Sequence, residues 1–319
     1  PRISRRHVGT RHDPAVRFDG AGASAIAGMK KILRWLAFLA VLAVVLATSV
    51  VAFIYLSTEP VIRKTYEVPL TAIAVPIDPA SVAEGRRLAT VRGCYNGCHG
   101  KGLQGTVFGD EPWVARLVAP NLTQVAASHS DAELERVIRQ GVRKNGQSVW
   151  GMVSNMFHHL SDEDLGKIIA FLRSVPVSEG PATEARIGLL WRFDLTQWQL
   201  GLRTDVYLPM AEEIRRGAPW IDGDIEPAER NRGRYLAMTI CSECHGMTLH
   251  GDIEGSTPNL AIVAAYSEED FFRLLRTATP LGGRELGLMG LVARERFVHL
   301  TDEEVRALYS YLHTLGQGA

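Results

Sequence analysis

The sequence predicts an all-α protein in which two similar helical domains stand in tandem behind one N-terminal transmembrane helix. Three observations lead there. Trp35 to Leu56 is an apolar run of 22 residues without a charge. Beyond it the chain repeats itself at an interval of about 140 residues, a domain duplication, since two copies are too few for a solenoid. The segments with regular apolar spacing follow i, i+3, i+4, i+7, the period of an amphipathic helix, and nothing alternates like a half-buried strand.

The apolar run would measure ~33 Å as a helix, enough to cross a hydrocarbon core of ~30 Å. Lys30, Lys31 and Arg34 precede it and Glu59 follows it. The positive-inside rule therefore places the N-terminus in the cytoplasm and everything after Leu56 on the far side. A cleaved signal peptide has an apolar core of about 7–15 residues, shorter than this one, so an uncleaved anchor is expected over residues 29–57. Residues 1–28 are rich in Arg, Gly and Ala, lack periodicity and begin with Pro1, whereas Met29-Lys30-Lys31 resembles the start of an exported protein. They are expected to be a disordered upstream extension.

The repeat is explicit. Glu84-Gly85-Arg86-Arg87-Leu88-Ala89 returns as Arg232-Gly233-Arg234-Tyr235-Leu236-Ala237, and Cys98-His99-Gly100 with Leu103 and Gly105 returns as Cys244-His245-Gly246 with Leu249 and Gly251. Pro120-Asn121-Leu122 matches Pro258-Asn259-Leu260, and Leu160 to Asp164 matches Leu300 to Glu304. The first helix of each copy should open at a tolerated proline, after Asp78-Pro79 and after Glu226-Pro227. A middle helix starts at Ser130, whose capping box uses Glu133, and at Ser267. Its apolar stripe is Leu134, Val137 and Ile138, or Phe271, Leu274 and Leu275. The last helix is capped by Ser161, or by Thr301 with Glu304, and carries Leu165, Ile168, Ile169 and Leu172, or Val305, Leu308, Tyr309 and Leu312. The acidic residues Asp162-Glu163-Asp164 read as helix N-terminal capping rather than catalytic carboxylates. The expected domains are 78–178 and 227–319. The connector 179–226 holds Trp191, Trp198 and Trp220, so it is no flexible linker and should pack on one or both domains.

Lys+Arg and Asp+Glu are equal at 35 each, so no global charge suggests nucleic acid. The four cysteines, Cys94, Cys98, Cys241 and Cys244, fall in two short clusters, each followed directly by a histidine. Cys241-Ser242-Glu243-Cys244-His245 is the C-x-x-C-H pattern of covalent haem attachment. Two thiols add across the haem vinyl groups and the adjacent histidine reaches the iron. A zinc site would need further Cys or His ligands at finger-like spacing, and a thiol redox pair would not explain the histidine. Cys94-Tyr95-Asn96-Gly97-Cys98-His99 has three residues between its cysteines. The extra residue can bulge out, with Gly97 relaxing the backbone; the competing reading is a decayed site.

With these motifs the sequence resembles a tandem class I cytochrome c, similar to the anchored dihaem subunits that serve periplasmic dehydrogenases and haem–copper oxidases. The resemblance covers about Asp78 to Val177 and Glu226 to Leu315. It implies two haem c groups, with His99 and His245 as axial ligands and a methionine before each C-terminal helix as the second. These would be Met152, eight residues before Leu160, and Met289, eleven before Leu300. Met156, His158 and His159 remain alternatives in the first domain, where Val153 replaces the proline that usually follows the ligand. The family's Pro-Asn-Leu segment implies that the Pro120 and Pro258 carbonyls accept hydrogen bonds from His99 and His245, with Leu122 and Leu260 packing on the haems. Gly85 and Gly233 would let the first helix approach Phe171 and Tyr311 on the last.

The implied function is electron transfer in the bacterial periplasm, at the inner membrane, through two low-spin haems lying close enough for direct tunnelling. Filled axial positions suit that role better than oxygen chemistry. The chain would catalyse no bond chemistry and take no small-molecule substrate. Its partner would be a redox protein or a dehydrogenase, respiratory or photosynthetic complex. A dihaem peroxidase and a haem-based ligand-binding module are the alternatives, and both need an open iron site.

Overall fold

The structure, a computed structural model, describes residues 21–181, 184–217, 231–251 and 256–317. The chain divides into two units, Pro1–Phe53 and Ile54–Ala319. In the first unit the described residues form the larger part of α1 (Ala21–Ile62), and the side chains from Gly28 to Phe53 are all exposed. The Gly28–Ile62 stretch of this helix is long and apolar enough to cross a membrane. The helix already starts at Ala21. The end of the stretch expected to be disordered is therefore helical, because the alternate alanines from Ala21 to Ala27 favour propagation of the helix; residues 1–20 lie outside the described residues.

In the second unit α1 runs past Leu56 and through Pro60 to Ile62. The chain then lies along the first repeat: the Tyr66 amide donates to the Gly146 carbonyl at 2.8 Å, and a Cβ at Gly166 would overlap the Ala74 carbonyl.

The first repeat opens with α2 (Pro79–Val91), where the Asp78 carboxylate caps the helix by accepting from the Ser81 amide at 2.9 Å. A hairpin follows, β1 (Thr106–Glu111) and β2 (Ala115–Ala119), a local departure from the all-helical expectation. Fifteen positions separate Gly105 from Pro120, against seven between Gly251 and Pro258; the hairpin fills the surplus. Alternation is broken there by a register shift between Val107 and Gly109, which hides the strand period.

Next come α3 (Leu122–Ser128), α4 (Asp131–Gln140), α5 (Ser154–Phe157) and α6 (Asp162–Ser174). Ser130 and Glu133 close the expected capping box on α4, and Ser161 caps α6. The connector contributes β3 (Arg186–Ile187), paired antiparallel with β2, then α7 (Leu189–Gln199) and α8 (Met210–Arg215). It packs on the first repeat. The Ala211 amide donates to Ser148 Oγ at 2.9 Å, and Trp191 meets Trp150 edge to face at 5.5 Å. Trp220 lies outside the described residues.

In the second repeat α9 (Arg232–Leu236) continues through Ala237–Cys241 into α10 (Ser242–His245). The expected opening after Glu226-Pro227 also lies outside the described residues. Then follow α11 (Glu268–Thr277), α12 (Leu288–Glu295) and α13 (Asp302–Leu315), the last held by the Thr301–Glu304 capping box.

Each repeat is built on a crossing of its first and last helices, α2 on α6 and α9 on α13. A Cβ at Gly85 would overlap the Lys167 carbonyl and reach 3.1 Å from Phe171 Cβ; a Cβ at Gly233 would overlap the Ala307 carbonyl and lie 2.6 Å from Tyr311 Cβ. Only glycine permits backbones this close. The paired positions Leu165 and Val305 are both fully buried, each contributing about 1.5–3 kcal/mol of hydrophobic stabilisation.

One apolar core runs through both repeats, and polar bridges tie them together. Arg87 donates twice to the buried Glu304 carboxylate, at 2.7 and 2.9 Å. Tyr235 Oη donates to Asp164 at 2.6 Å, and Arg92 reaches the same carboxylate at 2.9 Å. Asp164 thus does more than cap a helix: it joins the repeats.

Candidate functional site

Each attachment segment follows the end of a first helix. In the first repeat α2 stops at Val91 and the chain turns at Gly93, with φ 77°. The extra residue of the Cys94–Cys98 loop is absorbed by Asn96 in the left-handed region, φ 58° and ψ 5°. Asparagine tolerates that conformation better than other residues with a Cβ. Gly97 therefore shares the bulge with a neighbour that sequence reasoning passed over. In the second repeat, Cys241 to His245 fit within continuous helix and need no such residue.

The histidine that follows each segment is buried and oriented. His99 Nδ1 lies 2.9 Å from the Pro120 carbonyl and His245 Nδ1 2.8 Å from the Pro258 carbonyl. A carbonyl can only accept, so Nδ1 carries a proton, and in the neutral ring Nε2 holds the lone pair. Burial lowers the His99 pKa and so favours the neutral ring, while the Pro120 bond opposes that shift. In the second repeat Thr257 Oγ1 donates to the Cys244 carbonyl at 2.8 Å and braces the turn.

A largely apolar cavity lies beside each histidine. The first encloses 490 Å³ and is walled by Cys94, Cys98, His99, Pro120, Leu122 and Met152, among others. The second encloses 380 Å³ and is walled by Cys241, Cys244, His245, Pro258, Leu260 and Met289. All twelve residues named from the sequence thus line two cavities, six to each. Of the alternatives in the first repeat, Met156 is 1% exposed within the apolar core and is not part of the cavity wall. His158 Nδ1 donates to the Arg139 carbonyl at 3.1 Å, and His159 is held down to about 4 by burial, His158 and Arg234.

The donor set on each cavity is two thiols, one imidazole with a free Nε2 and one thioether, in apolar surroundings. Burial pushes the Cys94 and Cys241 thiols up to about 12. These residues fit haem c: two sulfurs for thioether links, a neutral imidazole and a thioether for iron. Among the described residues no group of three or more His, Cys, Asp or Glu side chains is placed to hold a bare metal ion.

Two further residues belong to the sites. Glu243, between Cys241 and Cys244, walls both cavities. Arg296, just beyond α12, walls the second and ion-pairs with Glu243 at 2.7 Å, while its guanidinium fills the space a Cβ at Gly93 would occupy. The available signal was Gly93 itself, which stands where the second repeat has Ile240.

A family model described as Cytochrome c matches residues 82–176 and again 231–316. The chain is 23% identical over 266 residues to the fructose dehydrogenase cytochrome subunit of Gluconobacter japonicus, covering 74% of this chain and 52% of the relative. It is 24% identical over 281 residues to the gluconate 2-dehydrogenase cytochrome c subunit of Pantoea cypripedii, covering 74% and 60%. To the cytochrome c subunit of the quinone alcohol dehydrogenase of Komagataeibacter europaeus it is 23% identical over 273 residues, covering 75% and 56%. The chain spans between half and three fifths of the length of these relatives.

Proposed function

The chain belongs to the cytochrome c family, and from that premise we propose that it is a membrane-anchored dihaem electron carrier working beside a dehydrogenase. The observation that carries this reading is the pair of cavities, each lined by two thiols, one histidine and one methionine, and sharing Glu243 as a wall. When bound, haem c supplies a one-electron ferric/ferrous couple whose potential is raised by a methionine ligand.

The chain's own residues do the rest. Cys94 and Cys98 hold one group, Cys241 and Cys244 the other. His99 and His245 would present Nε2 to the iron, held in that orientation by the Pro120 and Pro258 carbonyls. Met152 and Met289 would supply the second ligand, and Leu122 and Leu260, which line the cavities, would pack against the bound groups. A histidine and a methionine holding each iron would leave no position for peroxide or a gas, which favours a carrier over a peroxidase or a ligand-binding module. The common wall at Glu243 supports direct transfer between the sites. The two carriers span 78–178 and 227–319, joined by the 179–226 connector.

The helix Gly28–Ile62 acts as a single-pass anchor in the bacterial inner membrane. Its basic N-terminal flank favours a periplasmic position for both carriers. The dehydrogenase partner is inferred from the relatives, which are named as dehydrogenase subunits. Two experiments test the reading. Dithionite-reduced protein should bind carbon monoxide slowly or not at all, and a detergent extract should yield the chain together with a dehydrogenase. Rapid stoichiometric carbon monoxide binding would refute the carrier assignment, and purification with a haem–copper oxidase and no dehydrogenase would refute the partner.

A further inference from the structure

An ion pair lies between the two attachment segments. Arg296 Nη1 donates to Glu243 Oε2 at 2.7 Å, and the two side chains are 17% and 21% exposed. Glu243 sits inside the second segment, between Cys241 and Cys244, yet also walls the first cavity. Arg296 walls the second cavity, yet its guanidinium lies against the first segment: at Gly93 a Cβ would overlap it, and at Gly97 a Cβ would lie 3.4 Å from Nη2. Each charge of the pair therefore borders both sites.

A fixed charge beside an iron shifts its couple in a known direction. Ferric haem carries one more positive charge than ferrous haem, so a nearby cation favours the ferrous form and raises the potential, and a carboxylate lowers it. Such effects are strong where water is largely excluded. With both members present they offset each other at both sites.

We propose that the Arg296–Glu243 pair is a shared electrostatic element whose opposite charges each act on the potentials of both haems. Arg296 and Glu243 are positioning residues in this account: they touch the attachment segments and act on the irons through space. Gly93 is required by the same arrangement, since the guanidinium occupies the place of its side chain. The inference rests on the two-haem reading above.

The test is a spectroelectrochemical titration of the full chain, matured with haem, for the parent, Arg296→Gln, Glu243→Gln and the double variant. Haem content of the parent is counted first. Fewer than two haems overturns the reading on which the inference rests; two haems whose potentials ignore the pair overturns the inference alone. Arg296→Gln should lower both midpoints by about a tenfold change in the ferric/ferrous ratio at fixed potential, 59 mV for a one-electron couple. Glu243→Gln should raise both, and the double variant should return close to the parent. Shifts confined to one haem, or of the same sign in both single variants, would overturn the proposal, because loss of packing alone has no reason to reverse sign with charge. Should Arg296→Gln fail to mature, Arg296→Lys keeps the cation and should leave both midpoints near the parent values. A Lys variant with both potentials lowered would also overturn it.

Discussion

Glu304→Gln keeps the size of a buried side chain and removes its charge. The Glu304 carboxylate is 2% exposed. It accepts from Arg87 at 2.7 and 2.9 Å, from Arg232 at 3.0 Å and from the Thr301 amide at 2.8 Å. Removing one partner of a fully buried pair costs about 3–5 kcal/mol. Here Arg87 retains Glu84, and Arg232 is 48% exposed and can turn to water, so the expected loss is about 2–3 kcal/mol. At about 2–4 °C per kcal/mol for a body of this size, the Tm should fall by roughly 4–12 °C at pH 7. The pH dependence carries a sign. Burial pushes the Glu304 carboxyl upward, but Arg87, the Thr301 amide and Arg232 outweigh it and hold it below the ordinary carboxylate range. A carboxylate depressed in the folded state contributes stability above its unfolded pKa of about 4.3 and loses it as pH falls through the folded value. The gap between parent and variant, read by circular dichroism melts, should be full at pH 7 and shrink below about pH 4. A Tm change under about 2 °C at pH 7, or a gap that widens on acidification, would refute this account of how the repeats are joined.

Other substitutions probe the sites and the helix crossings. Met152→Leu should lower the midpoint of the first haem or open its iron to carbon monoxide, while Met156→Leu should leave both unchanged. The reverse pattern would shift the ligand by one helical turn, and an effect of replacing His158 or His159 instead would make that haem bis-histidine. Gly233→Ala places a methyl group into the Ala307 carbonyl and should cost about 1–3 kcal/mol, read as a lower Tm; an unchanged Tm would mean that α9 and α13 can separate freely.

The helices were legible because their signals are local. Ser130 with Glu133 and Thr301 with Glu304 announce helix starts in four residues, and the stripes through Leu134 and Phe271 need no tertiary knowledge. The cysteine–histidine segments were legible because the chemistry demands adjacency in the chain. The hairpin at Thr106–Ala119 was not, because a bulge breaks its alternation. Asn96 was missed because tolerance of a left-handed backbone leaves no pattern, only a permitted residue type. Arg296 and Asp164 were beyond reach for another reason: each acts on the other repeat. Arg296 lies against Gly93 and Gly97, and Asp164 accepts from Tyr235, 71 positions along the chain; nothing in the local spacing encodes such pairs.

The number of covalently attached haems tests the carrier function most directly. Acid–acetone extraction of the denatured chain, followed by a pyridine haemochrome assay against protein mass, measures it. Haem should stay with the polypeptide at two per chain, because both cavities carry the same donors despite the longer Cys94–Cys98 spacing. One per chain would contradict the equivalence of the two sites and leave the first without its cofactor. None would contradict the carrier function altogether.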